Sequence, residues 1–249
     1  MHSKTGLIAP SVVARIAGGC YLGFILAMVL ADRLGHFGLG GRDQVYETMV
    51  SHPDTFRLAI VVGLISAFLF LMAAWSLFVL LRPIDKGLAM LFLVLNAIGV
   101  AMQCASMIPL MSGLLQGEAG SHMQSFSGAQ LEGMAYHSID LYKMAFAATQ
   151  LFFCTWLFPL GYLVYKSRFL PRFLGVLLLA DGVGVLIWFF QALLLPDHPI
   201  IRYPGLVVSF VAEVGLSLWL LARGVKIAPA DAEDPAMGDS AALAGEARA

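Results

Sequence analysis

Residues 135–153 read AYHSIDLYKMAFAATQLFF, an apolar run interrupted by His137, Asp140, Lys143 and Gln150. Imidazole, carboxylate and ammonium are the groups that pass protons or hold charged ligands. A helix turns about 100° per residue, so positions three and four apart share a face. His137, Asp140, Lys143, Ala147, Gln150 and Cys154 follow steps of 3, 3, 4, 3 and 4, which draws one polar stripe. Leu141, Phe146, Phe152 and Phe153 are expected to point largely elsewhere. Asn96, Gln103 and Ser106 share a second polar face, and Arg15, Arg57, Asp181 and Glu213 lie in or beside other apolar stretches.

These residues need a scaffold, and composition says which. The chain has 249 residues, 59% hydrophobic and 12% charged, whereas a soluble domain is about 45–50% apolar and about 25% charged. Such a surface suits a bilayer, and the expected fold class is an all-α, polytopic transmembrane bundle of six helices. Six stretches are long enough to span, at about 11–31, 56–81, 88–111, 135–165, 173–195 and 205–223. The first is read as a retained helix because no small-x-small cleavage site follows it. The fourth exceeds what a bilayer requires and holds Pro159 near its end, so it is expected to tilt, kink or project. One domain, 1–227, is expected, followed by a disordered tail at 228–249 that is Ala-rich and without apolar periodicity.

Lysine and arginine set the orientation. Lys4, Arg15, Arg82, Lys86, Lys166, Arg168, Arg172, Arg223, Lys226 and Arg248 fall on one side. Arg33, Arg42, Arg57 and Arg202 fall on the other. Both termini are therefore expected in the cytoplasm. The connections at about 32–55 and 112–134 then face outward. GHFGLGGR in the first is read as a flexible loop, since no Gly-Lys-Ser/Thr follows to cradle phosphate. The second is read as a short interfacial helix or a lid.

At about 1.5 Å per residue, Lys143, Glu213 and Gln103 fall at similar depth, about 12 Å below the outer edge. A charge at mid-bilayer costs at least about 2.5–3.5 kcal/mol, so Lys143 is expected to meet Glu213, with Gln103 adding hydrogen bonds. Asp140 is expected to pair with Arg57 or Lys143, and Asp181 with Arg15. Two readings stay open. Such groups lock helix registry, or they line a water-accessible pocket. The outer set, Arg57, Gln103, His137, Asp140, Lys143 and Glu213, is assigned to a pocket. The inner set, Arg15, Asn96, Gln150 and Asp181, is assigned to a structural layer.

Other chemistry is disfavoured. His137, Asp140 and Glu213 offer metal-ligand atoms, but no His-x-x-x-His pair supports them and Lys143 repels a cation, so no metal is expected. Haem has only His137 deep enough to hold it. No serine sits in a nucleophile elbow, and no cofactor is identified. Cys20, Cys104 and Cys154 each fall in apolar runs and read as small hydrophobes. A net charge of −1 argues against a nucleic-acid partner. Gly19, Gly23 and Ala27, four apart, suit either close packing within the bundle or a homodimer seam.

RIAGGCYLGFILA, FRLAIVVGLISAFLFL, LFPLGYLVYKSRFLPRFLGVLLLADGVGVL and EVGLSLWLLARG, in that order, resemble the bacterial integral-membrane family called "domain of unknown function 4386". The likeness runs to about Gly224. It implies a small multi-helix protein of the bacterial plasma membrane, and it carries no catalytic residues over. In the joining segment, Lys166, Arg168 and Arg172 suit anionic headgroups. Pro171 suits the start of the fifth helix, and Gly161, Gly175, Gly182 and Gly184 suit close packing of the fourth and fifth. The reading is a membrane protein that binds a small polar or amphiphilic molecule in an outward-facing pocket, translocation left open. Lys143 and Arg57 would favour an anionic group on it. An accessory subunit of a larger membrane complex and an embedded acid–base enzyme are the alternatives.

Overall fold

A computed structural model describes residues 9–38, 40–117 and 125–225. The tail at 228–249 and the middle of the 112–134 connection lie outside the described residues. The described chain forms helices and no strands: α1 (Pro10–Gly35), α2 (Arg42–Ser51), α3 (Pro53–Leu81), α4 (Lys86–Ser106), α5 (Ile108–Gly117), α6 (Gly128–Lys166), α7 (Arg172–Leu194), a 3-10 turn (Pro199–Arg202) and α8 (Tyr203–Arg223). Six helical segments are long and apolar enough to cross a membrane, with α4 and α5 forming one of them.

Local chemistry sets the helix ends. Pro10 and Pro53 occupy first-turn positions, where their missing N–H costs nothing. The Asp85 carboxylate accepts from the Leu88 N–H at 3.0 Å and starts α4. Ser127 and Gln130 bond reciprocally at the start of α6, a capping box. Pro159 lies inside α6 without ending it.

The spans form a closed ring. α1 packs on α3, α3 on α4, α4 on α6, α6 on α7, α7 on α8, and α8 returns to α1. Glycines set the closest approaches. A Cβ on Gly18 would stand 2.6 Å from the Ser217 carbonyl oxygen of α8, and one on Gly175 would stand 2.7 Å from that of Gly161 on α6. Gly184 meets Gly205 of α8, not α6, with a Cβ at 2.8 Å from its Cα. Close approach of α1 to α8 thus uses Gly18, while Gly19 is exposed and Gly23 faces Leu69 of α3.

The ring has an apolar core and an apolar perimeter. Leu26, Phe68 and Val207 are 61%, 60% and 64% exposed on its perimeter, while Asn96, Gln103, Thr149, Gln150 and Asp181 are buried. An apolar girdle of that extent requires an apolar solvent. One end of the bundle, called the hairpin end here, carries the α3–α4 and α6–α7 turns and both described chain ends. Near the middle of the bundle, below the α2 half, the centre is filled by aromatic rings. Phe70 meets Trp156 edge-on at 5.1 Å and stacks on Phe24 at 4.1 Å, with Tyr21 and Phe92 against Trp156.

The other end, the α2 end, is capped. The 32–55 connection is not wholly loop, because residues 42–51 form α2, which packs on α3, α5 and α6. His36 adopts a left-handed conformation at φ 57°, and the chain turns so that Phe37 drops into the ring mouth against Phe56 and Tyr142. α6 is about 58 Å long at 1.5 Å per residue, well beyond a bilayer core of about 30 Å. Its first turns project past the ring and carry α2.

Candidate functional site

Two cavities open in the α2 half of the ring. The larger, about 440 Å³, lies among α1, α3, α6, α7 and α8. Its wall is largely apolar and rich in aromatic rings, among them Phe24, Phe153, Trp156 and Trp188. Its polar lining is sparse: Asp32 and Arg33 toward the α2 end, and Gln150, Ser209 and Glu213 deeper in. Helix spacing explains the last two, since Ser209 and Glu213 stand four apart on α8 and share a face. The Ser209 hydroxyl donates a short hydrogen bond to the Asp181 carboxylate of α7. The second oxygen of Asp181 is buried without a partner, and the Tyr21 hydroxyl of α1, also buried, stands beside Glu213. Glu213 is half-buried and lies within electrostatic reach of both.

Two carboxylates thus sit close together in a largely apolar layer. Among the described residues neither has a basic side chain at ion-pair distance. An unpaired ionised carboxylate is costly there, so the arrangement favours a proton, a cationic group or strong hydrogen-bond donors beside Glu213.

The smaller cavity, about 230 Å³, adjoins the first. Phe37, Tyr142, Phe146 and Trp188 line both and form the wall between them. Its charged groups are Lys143 and Arg202.

Several expected pairings are corrected. Lys143 does not meet Glu213. Its ammonium donates to the Gly40 carbonyl oxygen at 2.8 Å, and the aromatic wall stands between the two groups. Asp140 pairs with Arg42 at 3.2 Å, and Arg57 with Asp54 at 2.8 Å. The reason is α2 and the first turn of α3, which bring nearer partners than the spans do. Arg42 also covers the Tyr136 ring, and Tyr136 stacks on Tyr46 of α2. His137 is exposed. Asp181 faces α8, not Arg15, which is exposed.

Gln103 is buried behind the large cavity, its amide nitrogen near Met28 Sδ at 3.9 Å and its oxygen without a partner. Gln150 is buried and donates to the Phe146 carbonyl oxygen at 3.2 Å. It lines the cavity as well as packing α6. Asn96 is buried with neither amide atom partnered. Phe146, expected to point away from the polar stripe, is buried and lines both cavities.

Tyr21, Tyr142, Ser209, Arg202 and Gln191 join the site without having been singled out. Ser209 carried a signal in its spacing from Glu213, and Arg202 in its place just before the last span. Nothing in the sequence marks the two tyrosines or Gln191. Among the described residues no group of three or more histidine, cysteine, aspartate or glutamate side chains is placed to hold a metal ion.

A family model described as "Domain of unknown function (DUF4386)" matches residues 16–224. An uncharacterized protein of Archaeoglobus fulgidus is 24% identical over 159 residues, covering 62% of this chain and 76% of the relative. No solved structure matches.

Proposed function

The chain belongs to the family described as Domain of unknown function (DUF4386), and within that frame we propose that it binds a small amphiphilic molecule with an apolar or aromatic body and a protonated amine head. The amine would sit at Glu213 and the body among Phe24, Phe153, Trp156 and Trp188. One observation carries the reading: an aromatic cavity of about 440 Å³ with an unneutralised carboxylate in its depth. The volume falls in the range of about 300–1,000 Å³ typical of small-molecule sites. Aromatic faces attract cations, and a buried carboxylate gains a charge-assisted hydrogen bond. Lys143, separated by the wall, does not turn this cavity toward anions.

We place the α2 end outside a bacterial cytoplasmic membrane. The hairpin end carries Lys166, Arg172 and Arg223 over the rings of Tyr162, Tyr165 and Trp219. Aromatic rings sit at both interfaces, and an excess of lysine and arginine, here with Arg82, Lys86 and Arg168 as well, suits the cytoplasmic one. The cavity then opens outward.

The test is equilibrium binding of phenylbutylamine and its neutral analogue phenylbutanol to the protein purified in mild detergent. A hydrogen bond to a charged group is worth about 1.5–3 kcal/mol, or about 10- to 100-fold in affinity. Wild type should prefer the amine by that factor, Glu213→Asp should keep a preference, and Glu213→Gln should lose it. Equal affinity for amine and alcohol in wild type, or an undiminished preference in Glu213→Gln, would refute the reading.

A further inference from the structure

The smaller cavity lies between the loop after α1, α6, the end of α7 and the 3-10 turn. At about 230 Å³ it falls below the range of about 300–1,000 Å³ of drug-sized sites. It is sized for an ion or a single head group, not for a whole amphiphile.

Its charge is one-sided. Lys143 and Arg202 come from different elements into the same space, and no carboxylate lines it. Two carboxylates stand nearby and both are engaged: Asp140 by Arg42 at 3.2 Å, and Asp32 by the Gly38 N–H at 2.7 Å. Two cations converging in a partly buried space repel each other, and an anion between them reverses the sign of that interaction.

The donors and acceptors narrow the anion. An ammonium has three N–H groups, and one from Lys143 goes to the Gly40 carbonyl oxygen. The Nε–H of Arg202 is buried without a partner, while its guanidinium lies over the Tyr203 ring at 5.6 Å. Gln191 lines the same cavity. Its amide nitrogen donates to the Leu195 carbonyl oxygen at 3.0 Å, and its amide oxygen is buried without a partner. That oxygen requires a donor, which neither a simple halide nor a phosphodiester supplies. An oxyanion that carries a hydroxyl meets all three groups: its charged oxygens face Lys143 and Arg202, and its O–H faces Gln191. Arginine and lysine both favour phosphate.

We propose that the Lys143–Arg202–Gln191 chamber is a binding site for a protonated phosphate monoester group or inorganic phosphate. It stands apart from the amine site at Glu213 and does not depend on it. The same chemistry has two sources, free phosphate in water and the phosphomonoester head of phosphatidic acid.

The experiment uses the full chain in nanodiscs of phosphatidylcholine. One arm adds radiolabelled inorganic phosphate. A second replaces part of the lipid with phosphatidic acid, a third with the diester phosphatidylglycerol, and native mass spectrometry counts retained lipids. Wild type should bind phosphate or retain phosphatidic acid in preference to phosphatidylglycerol, and whichever arm responds identifies the source. Lys143→Gln combined with Arg202→Gln should weaken that binding at least about tenfold, while Lys143→Arg retains it. Gln191→Leu should reduce the preference for the monoester over the diester. Wild type that captures neither probe, or binding undiminished in the double variant, overturns the site. If the double variant does not fold, the wild-type arms decide alone.

Discussion

The two chambers share a wall and differ in almost everything else. The larger is acidic, aromatic and deep, ending at Glu213 with Asp181 behind it. The smaller is basic, with Lys143 and Arg202. Both draw on α6, whose stripe runs through Lys143 and Gln150, yet these residues serve different spaces. Seven residues separate them, about 10 Å along a helix. Phe37 and Trp188, from other elements, partition the stripe between them. A shared helical face therefore does not establish a shared site, and what comes across from neighbouring elements decides which residues meet.

The strongest way to break the comparison is to remove the wall. Phe37 is 4% exposed and packs edge-on against Phe56 and Tyr142. Truncating a buried phenylalanine costs about 3–5 kcal/mol. Phe37→Ala should lower the midpoint of thermal unfolding in detergent by several degrees and join the two spaces. Lys143 would then have a path toward Glu213, and the preference for phenylbutylamine over phenylbutanol should shrink. An unchanged unfolding midpoint would mean that the ring mouth is not held by this residue.

A smaller effect sharpens the acidic side. Ser209 donates to Asp181, whose other oxygen has no partner. Ser209→Ala leaves a buried carboxyl without its hydrogen bond, a loss of about 1–3 kcal/mol. The variant should be less heat-stable, and its affinity for phenylbutylamine should change less than in Glu213→Gln. Asp181→Asn should offset part of the stability loss, because an amide avoids the cost of a buried charge. If Ser209→Ala is as stable as wild type, that hydrogen bond does not organise the α7–α8 contact.

The architecture was legible because the membrane acts on whole segments. Twenty apolar residues in a row leave few alternatives, and the six spanning helices follow from that. Burial of Asn96, Gln103, Gln150 and Asp181 was legible for the same reason, since an amide or carboxylate turned to lipid finds no partner. The pairings were not. Depth along each span was counted from the sequence, but which helices adjoin is set by glycine contacts such as Gly18 on Ser217 and Gly184 on Gly205. No periodicity names those partners. α2 was hidden because it is short and polar, and it supplies Arg42, the residue that engages Asp140. Phe37 was hidden for a different reason: an aromatic residue in a glycine-rich connection gives no sign that it folds back into the ring.

His137 marks where the polar stripe stops mattering. It lies six residues before Lys143, about 120° away around the helix, on the projecting turns of α6, exposed and lining neither chamber. Its neighbours there, Tyr136 and Asp140, are held by α2 through Tyr46, Asp43 and Arg42, so docking of α2 does not depend on the imidazole. Surface substitutions away from packed features stay within about 0.5 kcal/mol, and His137→Ala should leave unfolding, amine binding and phosphate binding unchanged. Asp140→Asn should have a slightly larger effect, because it frees Arg42 from an exposed pair worth at most about 1 kcal/mol and removes the negative charge nearest Lys143. Phosphate binding should then rise modestly, and less so at high salt, where screening weakens the field of an exposed charge. A strong effect of His137→Ala on either ligand would move the site onto the projecting turns and make the ring cavities incidental.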